Sequence, residues 1–234
     1  MAGIRRGAVY DLLDASEAAR AELHAALQMA RDVGDARLEA QALLQQGAMG
    51  RYRGRLDGAQ VALEAAVALH RRTGDRRGEA EALCQLGANV TTTFRLDEAQ
   101  QLYDRAVGFA RELSAPSLVA RGTMGLANVH ALRGQAEAAA SLYDATLTLA
   151  RDLGDPRIEG VALVNYAKLH RDRGDLSAAK RLYEAGLSIH ERAGNRRAMA
   201  IAMGHMADLL EEQGRLDEAV ETYEQAIALH HEIG

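Results

Sequence analysis

Small and apolar residues recur along the chain at helical spacing, and the whole pattern repeats every forty residues. The segments 174–194 and 214–234 show the repeat most clearly, because their apolar positions match while the polar positions between them differ. The matched pairs are Gly174 and Gly214, Leu176 and Leu216, Ala179 and Ala219, Tyr183 and Tyr223, and Gly194 and Gly234. Apolar residues three and four positions apart line one face of a helix, so the pattern predicts helices with one packed and one variable face.

Turn signals divide each forty-residue unit into two helices of about eighteen residues. One set of glycines is Gly34, Gly74, Gly154 and Gly194, and a second set is Gly54, Gly134, Gly174 and Gly214. Phe94 and the segment Ser114-Ala115-Pro116 stand in the two remaining slots. We expect glycine to end these helices in the left-handed conformation. We expect the residues after the first set, Asp35, Asp75, Asp155 and Asn195, to cap the following helices.

The repeat divides the chain without insertions or deletions. The predicted units are 35–74, 75–114, 115–154, 155–194 and 195–234, preceded by a shortened unit over residues 1–34. The sequence therefore predicts a single array of helical hairpins over 1–234.

The spacing of the packed positions resembles the tetratricopeptide repeat. A small residue is followed at fixed distances by Ala, by Tyr or Leu, and by a second small residue, as in Gly47-Ala59-Leu63-Ala66 and Gly87-Ala99-Tyr103-Ala106. The forty-residue period and the segments "QLGAN" (85–89) and "GLANV" (125–129) are similar to the Leu-Gly-Asn type of this family. The chain departs from the common repeat by being longer than about 34 residues. It also has Arg71, Arg111, Arg151, Glu191 and His231 where the closing proline is usual.

This resemblance implies an all-α fold, a right-handed superhelical solenoid of helix-turn-helix repeats. It also implies that one face of each first helix lines the concave wall. On a helical wheel that face contains Leu44, Cys84 and Val164 besides polar residues. The predicted peptide-binding residues are Gln41, Gln45, Gln85, Arg121, Asn128, Asn165, Lys168, Arg171, His205 and Asp208.

The polar residues of this wall suit a peptide. Side-chain amides such as Gln45 and Asn165 both donate and accept, so they can pair with a peptide backbone. The wall is expected to change from basic near Lys168 and Arg171 to acidic near Asp208 and Glu212, which would hold a charged partner in one orientation.

Composition narrows the classes of partner. The formal net charge is −5, and residues 195–234 alone contain three Arg against eight Asp and Glu. A domain-wide basic face is therefore missing, which disfavours nucleic acid. No apolar run is long enough to span a membrane. Cys84 is the only cysteine, so no intrachain disulfide can form and a cytoplasmic setting is expected.

Motifs for catalysis or cofactor binding are missing from the sequence. The eight histidines do not combine with Cys or carboxylates at zinc-site spacing, and we expect His130 and His170 to pack between helices. The segment "GRYRGRLDG" (50–58) lacks the Lys-Ser/Thr ending of a phosphate-binding loop. The sequence thus favours a protein that is not an enzyme and binds no cofactor or metal.

Two function hypotheses remain open. The first is a non-enzymatic scaffold that binds a peptide or helix of a partner protein in the concave groove. The second is a sensor or regulatory module of a larger bacterial signalling or transcription-regulatory protein, and both ends of the chain favour a fragment. A phosphatase of the repeat-containing type would need a catalytic carboxamide or carboxylate in an N-terminal bundle, which we do not find. Lacking a polar capping helix, the C-terminal repeat leaves a homodimer open as well.

Overall fold

The computed structural model describes residues 21–233, and within this range the chain consists of helices and turns with no strand. Helix α1 comprises the helical residues 21–32. The following helices are α2 (Ala36–Tyr52), α3 (Leu56–Thr73), α4 (Arg76–Thr92), α5 (Leu96–Glu112), α6 (Pro116–Leu132), α7 (Ala136–Asp152), α8 (Pro156–Asp172), α9 (Leu176–Arg192), α10 (Arg196–Glu212) and α11 (Leu216–Ile233). This order confirms the all-α fold of helix-turn-helix repeats. The predicted first helix within residues 1–20 lies outside the described residues.

The predicted glycine turns are confirmed by the backbone angles. Every glycine of the two sets lies in the left-handed region, with φ between 61° at Gly154 and 80° at Gly174. Phe94 and Ser114 adopt the same conformation without being glycine, with φ of 58° and 49°. The turn geometry is therefore kept even where the sequence departs from the pattern.

The predicted N-caps are confirmed as well. The Asp35 carboxylate accepts hydrogen bonds from the backbone N–H groups of Arg37 and Leu38. In the same way Asp155 caps α8, Asp75 caps α4 and Asn195 caps α10. These side chains satisfy amides that the first turn of a helix leaves free.

Small residues at the helix contacts allow a bulky side chain of the second helix to press against the first helix. A methyl group on Gly87 would lie 2.9 Å from the Tyr103 ring, and one on Gly125 would lie 2.2 Å from it. In the same way, a methyl group on Gly47 would lie 2.4 Å from the Leu63 side chain. Larger residues at these positions would overpack the contact, which typically costs about 1–3 kcal/mol.

The described residues fall into two compact units, which we call the N-terminal unit (up to residue 129) and the C-terminal unit (from residue 130). In the N-terminal unit α2 pairs with α3 and α4 with α5, and its core includes Leu63, Leu83 and Tyr103. In the C-terminal unit α8 pairs with α9 and α10 with α11, around Tyr183 and Leu209.

Candidate binding face of the first helices

We use the name first-helix face for the ten residues that the sequence predicts to bind a peptide. In the N-terminal unit these are Gln41, Gln45, Gln85, Arg121 and Asn128. The two residues of α2 are exposed and the other three are half-buried. Arg121 is paired, because its Nη2 donates to Glu81 Oε1 at 3.1 Å. The structure thus links α4 and α6 through one ion pair and leaves the α2 amides open to solvent.

The helical wheel was wrong for Leu44, Cys84 and Val164, the three apolar residues that it placed beside the polar residues of this face. Leu44, Cys84 and Val164 are 8%, 8% and 6% exposed, so they belong to the packed interior. Cys84 lies beside Gly122 of α6, and Val164 lies beside Gly186 of α9. A wheel drawn for one helix does not include the neighbouring helices that cover these positions. Burial also raises the pKa of the Cys84 thiol to about 11, despite the nearby Arg121.

The remaining predicted residues lie in the C-terminal unit, on α8 and α10. Asn165 and His205 are half-buried, and Lys168 is exposed. The side chain of Arg171 is only 14% exposed, whereas that of Asp208 is 42% exposed. This part of the face therefore combines an accessible amide, ammonium group and imidazole with a guanidinium that is nearly buried.

Arg171 is the centre of a polar cluster that we call the Arg171 network. Its Nη1 donates to Asp208 Oδ2 at 3.1 Å, and its Nε lies 3.6 Å from Glu212 Oε1. The Tyr223 hydroxyl donates to Asp208 Oδ1, and His205 Nδ1 lies 3.6 Å from Asp208 Oδ2. The expected change from basic to acidic residues is interrupted at Arg171, because its charge is already paired with the carboxylates of Asp172, Asp208 and Glu212.

The network also shifts the pKa values of its members. Partial burial acts to raise the pKa of Asp208, but hydrogen bonds from Tyr223 and Arg171 outweigh it and hold the pKa below its usual range. The hydrogen bond between Tyr223 and Asp208 also raises the pKa of the Tyr223 hydroxyl to about 12. Burial lowers the pKa of His205, and the positive charge of Lys168 acts in the same direction, although Asp208 opposes both. At neutral pH the cluster therefore combines a charged carboxylate with a neutral imidazole.

Two tyrosines of the second helices belong to this site and were not predicted as site residues. Tyr223 of α11 binds Asp208, and the ring of Tyr183 in α9 stacks on His205 with centroids 6.2 Å apart. Tyr183 is fully buried and its hydroxyl has no hydrogen-bond partner. Both tyrosines occupy the bulky packing position of the repeat. The recurrence of a tyrosine at this position in the sequence was the signal that could have placed them near the face.

The histidines take part in helix packing and turns. His130 Nδ1 lies 2.5 Å from Gln135 Oε1, and His170 Nδ1 lies 3.4 Å from Asp175 Oδ2. Each thus contacts the residue that precedes the next helix. Across residues 21–233, no group of three or more His, Cys, Asp or Glu side chains is placed to hold a metal ion. In the same range no helix is both long and apolar enough to cross a membrane.

The family model of the tetratricopeptide repeat matches residues 118–192 and 159–231. The hairpins that precede this match have the same glycine turns and the same small packing positions. The tetratricopeptide repeat family therefore matches the chain over residues 118–231, and the described hairpins before that range share the same helix-turn-helix fold. No curated protein sequence matches it.

Several solved structures share the fold at low sequence identity. The crystal structure of a Rap protein complexed with Competence and Sporulation Factor matches with a TM-score of 0.74 and 17% identity, covering 82% of this chain and 54% of the Rap chain. NprR in complex with its cognate peptide NprX matches with a TM-score of 0.73 and 16% identity, over 94% of this chain and 64% of NprR. BtubC from P. vanneervenii matches with a TM-score of 0.66 and 16% identity, over 94% of this chain and 92% of BtubC. The chain thus spans about half the length of the Rap protein and less than two thirds of NprR.

Proposed function

We propose that this protein is a non-enzymatic interaction scaffold that binds a peptide or helix of a partner protein on the first-helix face. The observation that carries the proposal is the arrangement in the C-terminal unit. There the Arg171 network joins α8, α10 and α11 through paired polar groups, while Asn165 is half-buried and Lys168 is exposed on α8. Polar groups that are already paired across helices need less ordering when a partner binds, which lowers the cost of binding.

Two structural neighbours support this proposal by analogy. NprR was solved with its cognate peptide, and the Rap protein was solved with Competence and Sporulation Factor. Both were therefore seen in complexes. The shared fold makes a comparable use of this chain reasonable, and the first-helix face supplies the side chains for it.

The alternative is a sensor or regulatory module of a larger bacterial signalling or transcription-regulatory protein. The Rap and NprR chains both extend well beyond the region that this chain matches, and this favours the alternative. Sequencing the coding region on both sides of residues 1–234 tests this alternative, since a contiguous ATPase, kinase or DNA-binding domain would support it. In either case we propose a cytoplasmic location, in keeping with the lone cysteine, Cys84.

Lysine labelling gives a sharp test of the binding face. The chain has two lysines, Lys168 on the first-helix face and Lys180 on the second helix α9. Peptides are first selected from a random display library against the whole chain. We expect a selected peptide to protect Lys168 from amine acetylation, as measured by mass spectrometry, while Lys180 reacts at its original rate.

Substitutions complete this test. Asn165→Ala combined with Lys168→Ala should weaken the selected peptide by about tenfold or more, since two polar contacts are lost. Lys180→Ala is the matched control and should leave the affinity unchanged. Protection of Lys180 alone, or full affinity in the double variant, would mean that the peptide binds elsewhere.

We further propose that a second copy of the chain covers the outer side of α11. Ile227 is 54% exposed, although the equivalent residues Val67 and Val107 are 8% and 5% exposed. Val107 is covered by α6, where it lies against Gly122. An apolar side chain that other hairpins bury is therefore available for contact between two copies.

A further inference from the structure

A carboxylate in the first turn of α4 is buried among arginines. The Glu79 side chain is 1% exposed, and it pairs with residues of three different helices. Its Oε1 accepts from Arg71 Nε at 3.2 Å and from Arg105 Nη2 at 3.3 Å, and its Oε2 accepts from Arg76 Nη1 at 3.2 Å. We call these three arginines around Glu79 the arginine cluster.

Other hairpins show how many arginines this position requires. Arg31 binds Glu39 at 2.8 Å, and Arg151 binds Glu159 at 2.8 Å, in each case across the same turn as Arg71 and Glu79. The residues equivalent to Arg76 and Arg105 carry no charge in those hairpins; they are Ala36 and Ala65 near Glu39, and Pro156 and Ala185 near Glu159. One arginine is therefore enough to pair this glutamate elsewhere, where its side chain is about one-fifth exposed.

The arginine cluster carries more positive charge than Glu79 neutralises. Three guanidinium groups surround one carboxylate, which leaves an excess of two positive charges. Arg72 and Arg77, which follow two of these arginines in the sequence, are exposed. Asp75, the acidic residue of the intervening turn, is engaged in capping Gly78 N and in pairing with His70.

The guanidinium groups keep donors available. Each of the three arginines donates one hydrogen bond to Glu79, and a guanidinium has five N–H groups. Their side chains are 57%, 57% and 44% exposed for Arg71, Arg76 and Arg105. The Arg76 guanidinium also lies over the Phe109 ring, 4.6 Å from its centroid, which fixes its orientation. Each of the three arginines is thus anchored on Glu79 before any ligand binds.

We propose that the arginine cluster is a binding site for a phosphate group, either free or carried by a phosphorylated side chain of a partner. A phosphate monoester carries a charge of about −1.5 to −2 at neutral pH, which matches the excess charge of the cluster. Its three oxygens can each accept from a guanidinium fork. A carboxylate ligand would neutralise only half of this excess. This site is independent of the first-helix face, and it rests on the ion pairs of α3, α4 and α5.

Titration of the whole chain with inorganic phosphate tests the site. Isothermal titration calorimetry with phosphate is compared with a titration of sodium chloride at the same ionic strength. This control separates phosphate binding from the general screening of protein charges by salt. We expect saturable binding to the natural chain and at least about tenfold weaker binding to Arg105→Gln, because one charged donor is lost. Arg71 and Arg76 still pair Glu79 in that variant, and circular dichroism checks that it is folded.

Matched controls separate binding from stability. Arg151→Gln removes the equivalent ion pair in the C-terminal unit and should bind phosphate like the natural chain. Arg105→Lys should recover part of the affinity, because it restores the charge without the fork. Absence of phosphate binding above the chloride control overturns the proposal, and so does unchanged affinity in folded Arg105→Gln.

A second set of titrations distinguishes the two sources of phosphate. A glycine-flanked phosphoserine peptide is compared with the unphosphorylated peptide and with inorganic phosphate. Tighter binding of the phosphopeptide than of inorganic phosphate supports a modified partner, and the reverse order supports a free phosphate. Equal binding of the phosphorylated and unphosphorylated peptides would contradict a phosphate site.

Discussion

Phe94 and Ser114 occupy a backbone region in which a side chain is unfavourable. Eight glycines adopt the same left-handed turn elsewhere between residues 21 and 233. The conformation costs a residue with a Cβ atom roughly 1–2 kcal/mol. Phe94 recovers little of this by burial, since it is 71% exposed. The turn is therefore kept by the helices on both sides, at a local cost.

Replacing Phe94 by glycine should stabilise the protein. Phe94→Gly removes the left-handed strain but increases the freedom of the unfolded chain, so we expect a net gain of about 1 kcal/mol. Urea unfolding followed by circular dichroism measures it. Thr93→Gly is the control, because Thr93 has a φ of −91° and gains nothing from glycine. A Phe94→Gly protein that is less stable than the natural chain would show that the phenyl ring makes a compensating contact.

Helix ends are joined by side chains that reach across the turns between hairpins. Arg31 binds Glu39 and Arg151 binds Glu159 across such turns. His70 pairs with the capping Asp75 at 3.0 Å. His190 is different, because it is 1% exposed, its Nδ1 has no partner, and its ring lies against Gly160 of α8.

His190 should make the stability of the protein depend on pH. Burial lowers the pKa of His190 below its ordinary value of 6.5. The folded state then binds fewer protons than the unfolded state as the pH falls through this value. The contribution of His190 is complete above about pH 6.5 and is lost as the pH falls toward the lowered pKa.

Thermal unfolding between about pH 7.5 and pH 5.5 measures the effect. We expect the melting temperature to fall with pH in the natural chain and to fall less in His190→Gln. The remaining dependence includes His205, whose pKa is also lowered. His231→Gln, at an exposed position of α11, should behave like the natural chain. If His190→Gln retained the full dependence, other groups would be responsible for it.

The sequence predicted the elements better than the contacts between them. The glycine turns and the caps Asp35, Asp75 and Asp155 were predicted because they depend on local backbone geometry. The Arg171 network was not, because its members lie on α8, α10 and α11 and their distances depend on packing between hairpins. The helical wheel misplaced Cys84 for the same reason.

At the scale of the whole molecule, the self-association that we propose would use the outer side of α11. Apolar residues there are accessible, while residues 195–234 carry three Arg against eight Asp and Glu. Two such surfaces attract through apolar contact and repel through charge. Salt screens the repulsion between exposed charges, so dimer formation should increase with ionic strength.

Sedimentation velocity over a roughly hundredfold concentration range tests this proposal. We expect the natural chain to shift from monomer to dimer, and to do so at lower concentration in higher salt. Ile227→Glu should remain monomeric. Val61→Glu places the same charge on an exposed valine of α3 and should leave the dimer intact. A natural chain that stays monomeric throughout would exclude this mode of association.

The hairpins share the same forty-residue length and the same left-handed turns, so one hairpin could take the place of another. Gly34 and Gly74 have φ angles of 69° and 70°, and each is followed two residues later by the start of a helix, at Ala36 and at Arg76. Genetic duplication or loss of one forty-residue block would then lengthen or shorten the protein by one hairpin without moving any residue into a different helical position.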